Sequence, residues 1–400
     1  MMTLAQKTKR LTAHYAVTYF VYYAGFAMLR AFISVFLLDR GFSYTQVGII
    51  NAVHMTASAV CQPLFSQLLS KMPDVSLRRF SAFGGAISMV CAVLLCFVPA
   101  KMWTYLPLYV LLGLFQTGLV SLMVSIGMEY VNAGVPMNVG IGRGIGSFGY
   151  AFTNTFLGML IVKFGSGVTT YLNAVFLGLL VVLLLTMPSP ESLLDGKVER
   201  AETAEEPADK MSVFMKDNAA FTLMTFSTAF IFFGHCVVNT YLPDIAAQFG
   251  LDSDFTGIAL GVTSYVELIP LFFYARVKKY IPPISLFRFS MVMFSVKVLT
   301  ACLATGPVSL LLSCSMQMLA FACYTISSIH LTNNVIAPRN RVTAQGLLGS
   351  MTDFGFVLGS FVGGLMLDHV SLRSLLWVTL GVSTVGTLLT LWFSRNFKDE

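Results

Sequence analysis

Apolar residues along the chain run in stretches of about twenty, the length an α-helix needs to cross a bilayer, and polar or turn-forming clusters separate them. They predict spans over 15–38, 46–70, 80–99, 103–129, 140–163 and 168–187, and a second set over 218–243, 253–275, 284–304, 307–335, 342–367 and 372–393. Between the sets, PSPESLLDGKVERAETAEEPADKMS is rich in Pro, Glu, Asp and Lys and has too little apolar surface to build a core. The pattern predicts an all-α membrane protein with twelve transmembrane helices in two pseudo-symmetric halves: residues 1–187, a cytoplasmic linker at 188–217, and residues 218–400.

Composition agrees with this reading. Hydrophobic residues make up 56% of the 400 and charged residues only 11%, against about 25% in a soluble domain; the mean hydropathy is +0.76. Lys7, Lys9 and Arg10 precede an apolar run as in a signal peptide, but that run extends from Tyr15 to Leu38 and is too long to be a cleaved segment. Of the 25 Lys and Arg, Arg40, Lys101, Lys163 and Arg373 fall on one side of the expected topology, Arg30, Arg143 and Lys297 fall inside spans, and the rest lie on the side of the N-terminus. Basic residues concentrate on cytoplasmic loops, so both termini and the linker are expected in the cytoplasm of a multi-pass cell-membrane protein. The net charge of +6 is then a topology signal, and nucleic acid is not an expected partner. A monomer is expected.

The seven cysteines and five histidines lack ligand spacing, so neither a metal nor a cofactor is expected. HExxH and Gly-x-Ser-x-Gly motifs are missing, which argues against an enzyme. The halves repeat: YYAGFAMLRAFISVFLLDRGFSYTQVGII aligns with FIFFGHCVVNTYLPDIAAQFGLDSDFTGIAL, so that Gly25 meets Gly234, Gly41 meets Gly250, and Arg30 corresponds to Asn239. Duplicated halves with a midplane site between them are a transporter architecture.

Charge inside a span costs about 2.5–3.5 kcal/mol on insertion scales, so each buried charge needs a partner, water or a ligand. Arg30, Arg143, Lys297, Glu129, Glu267 and Asp353 are the candidates, either as a substrate and ion site or as structural bridges between helices. His235 and Asn239 share one face of the seventh span at i, i+4, and Gln317 sits in the tenth; each either lines a cavity or makes an interhelical hydrogen bond. GIGRGIGSFGYA contains a formal GxGxxG at Gly144, Gly146 and Gly149, but the strand and the acid of a nucleotide site are missing. As a helix it carries two small-residue registers, Gly140/Gly144 and Gly142/Gly146, that admit a close neighbour. The fourth span is the expected neighbour, with Glu129 near Arg143.

On GRGIGSFGYA, SYVELIP, MFSVKVL and AQGLLGSMTDFGFVLGSFVGGLMLD, the chain resembles the major facilitator superfamily, in the branch of lactose permease and other oligosaccharide–proton symporters, with phenylpropionate permease-like members nearby. The resemblance implies that Arg143 holds sugar hydroxyls and pairs with Glu129, that Tyr150 stacks on the sugar ring, and that Glu267 binds sugar and couples to protons. Lys297 stands where the branch has an arginine important for proton coupling. The tenth span lacks the His and Glu of the permease relay, which makes Asp353 the candidate replacement. The implied function is a secondary active transporter for a small polar solute, a saccharide or glycoside, with proton symport. An aromatic-acid or nucleoside importer and a drug or metabolite exporter are the alternatives.

Overall fold

The computed structural model describes residues 4–70, 75–193, 209–277, 281–395 and 397, and every regular element among them is helical. The helices are α1 (Leu4–Arg30), α2 (Ile33–Asp39), α3 (Tyr44–Ser70), α4 (Leu77–Phe97), α5 (Met102–Leu112), α6 (Leu119–Asn132), α7 (Val139–Phe164), α8 (Val168–Thr186) and the short α9 (Pro190–Leu193). They continue with α10 (Met211–Asp217), α11 (Ala219–Thr240), α12 (Leu242–Ala247), α13 (Ser253–Val277), α14 (Pro283–Cys302), α15 (Pro307–Ser315), α16 (Phe321–Val335), α17 (Arg341–Leu367) and α18 (Leu372–Ser394). Among the described residues nine helical segments are long and apolar enough to cross a membrane, and a tenth qualifies if α1 and α2, bent by 46° at their break, count as one. Most of the polar connection between the expected halves, residues 194–208, lies outside the described residues.

Four expected spans are interrupted, the seventh only near its end, at Tyr241 between α11 and α12. The first bends between Arg30 and Ile33. The fourth passes through a π-helical turn at Gly113–Thr117, and the tenth through a 3-10 turn at Met316–Met318. Hydropathy reads an interrupted helix as continuous, because the few polar residues at a break are averaged with their apolar neighbours and the freed backbone groups are repaired by side chains. Here the repair is visible: the Cys61 thiol donates to Leu114 O at 3.1 Å and the Tyr22 hydroxyl to Gln116 O at 2.9 Å. Glycine makes room for it, since a Cβ at Gly113 would collide with the carbonyl oxygen of His54.

The chain divides into two compact units, Met1–Phe42 with Val53–Thr203, and Ser43–Ala52 with Ala204–Glu400. In the first, Tyr15, Tyr19 and Tyr22 of α1 are buried against Leu122, Met123 and Ile126 of α6 and Leu177 and Leu180 of α8. In the second, Ile231 and Phe232 of α11 lie among Phe287, Met291 and Phe294 of α14 and Tyr324 of α16. The repeat is present in the backbone. Gly41 and Gly250 both adopt positive φ, +85° and +71°, where glycine carries no Cβ penalty. Gly25 brings α1 against Asn173 of α8, as Gly234 brings α11 against Ser383 of α18.

The glycines of α7 pack differently from the expectation. A Cβ at Gly142 would come within 2.5 Å of the Tyr15 ring, one at Gly146 within 2.8 Å of Tyr23 and one at Gly149 within 2.9 Å of Phe20, so this face receives α1 and not the fourth span. A Cβ at Gly144 would meet no other part of the protein within 4 Å. A short loop makes α6 and α7 sequence neighbours, but the bulky tyrosines of α1 are what need a side-chain-free face. Gly355, Gly359 and Gly363 give α17 a matching face toward Ala229, Phe233 and Tyr241 at the α11 side.

Within the second unit the start of α3 is clasped by the end of α17. Asp368 accepts from the backbone N–H of Tyr44 at 3.0 Å and of Thr45 at 2.8 Å, and the Tyr44 hydroxyl donates to Asp244 at 2.7 Å. Asn51 donates to Ser360 Oγ at 2.8 Å. Desolvation works against ionisation of Asp368, but hydrogen bonds from Thr45, Ser43 and Tyr44 outweigh it and hold its carboxyl below the usual carboxylate range. A depressed folded value means that this contribution is fully present above the ordinary carboxylate pKa and is lost as pH falls through the depressed one. Amide hydrogen exchange at Tyr44 and Thr45 is therefore expected to accelerate severalfold in Asp368→Ala at neutral pH; unchanged protection would remove Asp368 as the cap.

Candidate functional site

Four helical elements of the second unit bring polar side chains into one chain of hydrogen bonds. Lys297 of α14 is 1% exposed, an expensive position for an ammonium unless its protons are taken up. Its Nζ donates to Gln317 Oε1 at 2.6 Å and to Asn239 Oδ1 at 3.0 Å. Gln317 Nε2 donates in turn to Glu267 Oε1 of α13 at 2.6 Å, and Asn239 Nδ2 to His235 Nε2 at 2.9 Å. An ammonium has donors alone, so it fixes both amides with oxygen inward and nitrogen outward. Two arms thus run from Lys297, one ending on the Glu267 carboxylate and the other on an imidazole nitrogen that accepts. The 3-10 turn places Gln317 here, and Ser313 Oγ donates to Lys297 O at 2.9 Å, tying α15 to α14 beside it.

The His235 ring is enclosed by aromatic side chains. Phe321 lies parallel at 5.3 Å with an interplanar angle of 5°, while Phe294 and Phe356 present edges at 5.3 and 5.5 Å. His235 sits on α11, most of which is buried, so its neighbours come from several helices. Asp353, half-buried on α17, is near Tyr324, whose hydroxyl pairs with Thr352 Oγ1 at 3.1 Å.

In the first unit the structure adds an aromatic ladder. Along α1 and on to α7, Tyr15–Tyr19, Tyr19–Tyr23, Tyr23–Phe26 and Phe26–Tyr150 have ring centroids 4.8, 5.9, 6.0 and 6.1 Å apart. Arg143 of α7 is exposed, and its charge reaches the hydroxyls of Tyr15, Tyr19 and Tyr23. The Arg30 guanidinium lies 5.3 Å over the Phe26 ring and 3.8 Å from Met55 Sδ. Glu129 is half-buried near the end of α6. Tyr15, Tyr19 and Tyr23 recur at i, i+4, a spacing that could have flagged one helical face.

The first unit also has a closed polar cluster that sequence reasoning missed. Gln116 and Asn173 exchange two amide hydrogen bonds at 2.9 and 3.1 Å. His54 is buried beside them, bonded to Tyr109 O through Nδ1 and to Thr117 Oγ1 through Nε2, each at 3.0 Å. Scattered in sequence, these residues meet because the π turn carries Gln116 and Thr117 inward.

A broken apolar helix in each of two repeated units, each with a buried glutamine at the break, is a transporter-like arrangement. The sequence model described as the MFS_1 like family matches residues 12–378. The chain belongs to that family. Its fold is that of the major facilitator transporters. The nucleoside transporter NupG superposes with a TM-score of 0.81 at 16% identity, covering 97% of this chain and 100% of that one. A bacterial homolog of the human lysosomal transporter Spinster, inward-facing and unoccupied, gives 0.71 at 13% identity, with 98% and 97% covered. The peptide transporter POT gives 0.69 at 12% identity, with 97% and 94% covered. A search of curated proteins gives no match.

Proposed function

We propose that this family member is a secondary active transporter that takes up a small polar ring solute, a saccharide or glycoside, by alternating access with proton symport. The hydrogen-bonded chain from Glu267 through Gln317, Lys297 and Asn239 to His235 carries the reading. It offers a protonatable carboxylate in register with a cation and two amides, the groups that exchange hydrogen bonds with sugar hydroxyls. Glu267 is the proposed proton carrier, with Lys297 and Asp353 as coupling residues. Arg143, Glu129, Tyr150 and Arg30 are the proposed solute contacts in the first unit, and Asn239, His235 and Gln317 those in the second. The protein works as a monomer in the cell membrane with both termini cytoplasmic.

A second reading, a planar aromatic solute such as a nucleoside or an aromatic acid, is favoured by the ladder from Tyr15 to Tyr150. NupG is itself a nucleoside transporter. A thermal-shift screen of the purified protein against sugars, glycosides, nucleosides and aromatic acids separates the two, because a ligand bound to the folded state raises its melting point. Glycosides are expected to give the largest rise. Stabilisation by aromatic acids or nucleosides, with none by sugars, would replace the first reading with the second.

A further inference from the structure

We infer that Gln317 is a positioning residue that converts protonation of Glu267 into movement of the joint between α15 and α16. The inference rests on the proton-coupled reading above and extends it to a side chain and a hinge.

Gln317 is 3% exposed, and both ends of its amide are engaged at 2.6 Å, the oxygen by the Lys297 ammonium and the nitrogen with the Glu267 carboxylate. It bridges cation to anion and cannot turn over: a flipped amide would set N–H against ammonium and oxygen against carboxylate. The bond therefore reads the charge on Glu267. While ionised, the carboxylate is a strong acceptor. A proton on Oε1 sets O–H against N–H, and a proton on Oε2 leaves a weaker neutral acceptor. In either case the link between α13 and the 3-10 turn loosens.

That link is attached where its span is broken. Met316–Met318 is a 3-10 turn between α15 and α16, and Ala320 follows it with φ −83° and ψ −80°. A 3-10 stretch inside a long helix marks a hinge. Among the described residues the charged group acting on the Glu267 carboxylate is Lys297 from α14, and Cys314 from α15 lies beside Lys297 with its thiol against Thr263 of α13. The first unit supplies the contrast. Gln116 sits at the corresponding break and exchanges both amide hydrogen bonds with Asn173, which does not titrate. The two glutamines occupy similar breaks, and only Gln317 bridges a carboxylate and an ammonium.

The test needs no solute. In infrared difference titrations of the purified protein, the carboxyl stretch of Glu267 is assigned by its loss in Glu267→Gln. Gln317→Leu is expected to move the midpoint of that band by about one pH unit or more, the size expected for losing a hydrogen bond to a charged group. Protection of residues 312–321 against hydrogen exchange, taken relative to the intrinsic exchange rate at each pH, should follow the same midpoint in the wild type, and should be lowered and independent of pH in Gln317→Leu and in Glu267→Gln. Gln317→Glu gives a separate readout that does not depend on Gln317→Leu folding. A protonated carboxyl reproduces the amide, accepting from Lys297 and donating to Glu267, so protection of the hinge should be lost at high pH and recover as the new carboxyl protonates. Gln116→Leu should leave the Glu267 midpoint in place. An assigned band whose midpoint is the same in all Gln317 variants, with unchanged exchange over residues 312–321, overturns the inference alone. If no titrating band disappears in Glu267→Gln, the proton-carrier reading fails first.

Discussion

Glu267→Gln is expected to abolish proton-driven accumulation while leaving exchange of solute across the membrane in place. Glutamine matches glutamate in shape, keeps an acceptor for Gln317 Nε2, and removes the proton site. It stands in for the protonated state, so the variant cycles without a proton to carry. With one proton per solute, a gradient of one pH unit sustains about tenfold accumulation, since a factor of ten corresponds to about 1.4 kcal/mol. In vesicles with an imposed gradient, the wild type should approach that ratio and lose it with a protonophore. The variant should stay near equilibrium with or without one. Full accumulation by Glu267→Gln would take the proton off this residue and leave Asp353 as the carboxylate to examine next.

A second large effect is expected in the helix packing. At Gly359 a Cβ would lie 2.6 Å from Phe233 O and 2.8 Å from Cys236 Cβ, so a side chain there meets the α11 backbone. That carbonyl belongs to the hydrogen-bond ladder of a buried helix and cannot retreat as a flexible side chain can. Gly359→Leu is expected to cost about 3 kcal/mol, the upper part of the range for overpacking, and to lower the melting point of the detergent-purified protein sharply. Gly144→Leu, on the open face of α7, is the matched control. It should melt at or above the wild type, because leucine favours a helix over glycine by somewhat under 1 kcal/mol. Equal melting points for the two variants would contradict the packing of α17 on α11.

Much of the architecture was legible because bilayer insertion is a local property of sequence. About twenty apolar residues in a row cross a membrane whatever their neighbours are, and the twelve expected stretches each fall on a helix or a broken helix. The duplication was legible for a similar reason. Gly41 and Gly250 sit at positive φ where few other residues could, so the sequence match is also a conformational one. Polar residues inside spans are costly enough to be noticed singly, which is how Lys297, Glu267, Gln317, Asn239 and His235 came to be candidates.

Their partners were not legible. Gln317 meets Lys297 and Glu267 only because the tenth expected span breaks at Met316–Met318, and a hydropathy window averages one glutamine with its apolar neighbours and does not register the break. The glycine face of α7 was expected to receive the fourth span, but it belongs to α1. The Gln116–Asn173 pair spans 57 positions, and neither residue alone announces the other.

The sequence by itself determined that this protein lies in the membrane, that it is helical and duplicated, and which charged side chains fall inside apolar spans, since each follows from transfer free energies summed over neighbouring residues. Only the tertiary structure decided which of those side chains touch. A helix can turn any face toward any neighbour, and that choice is made by steric fit and hydrogen-bond direction between segments far apart in the chain: glycine against tyrosine at α7 and α1, ammonium against amide oxygen at Lys297 and Gln317.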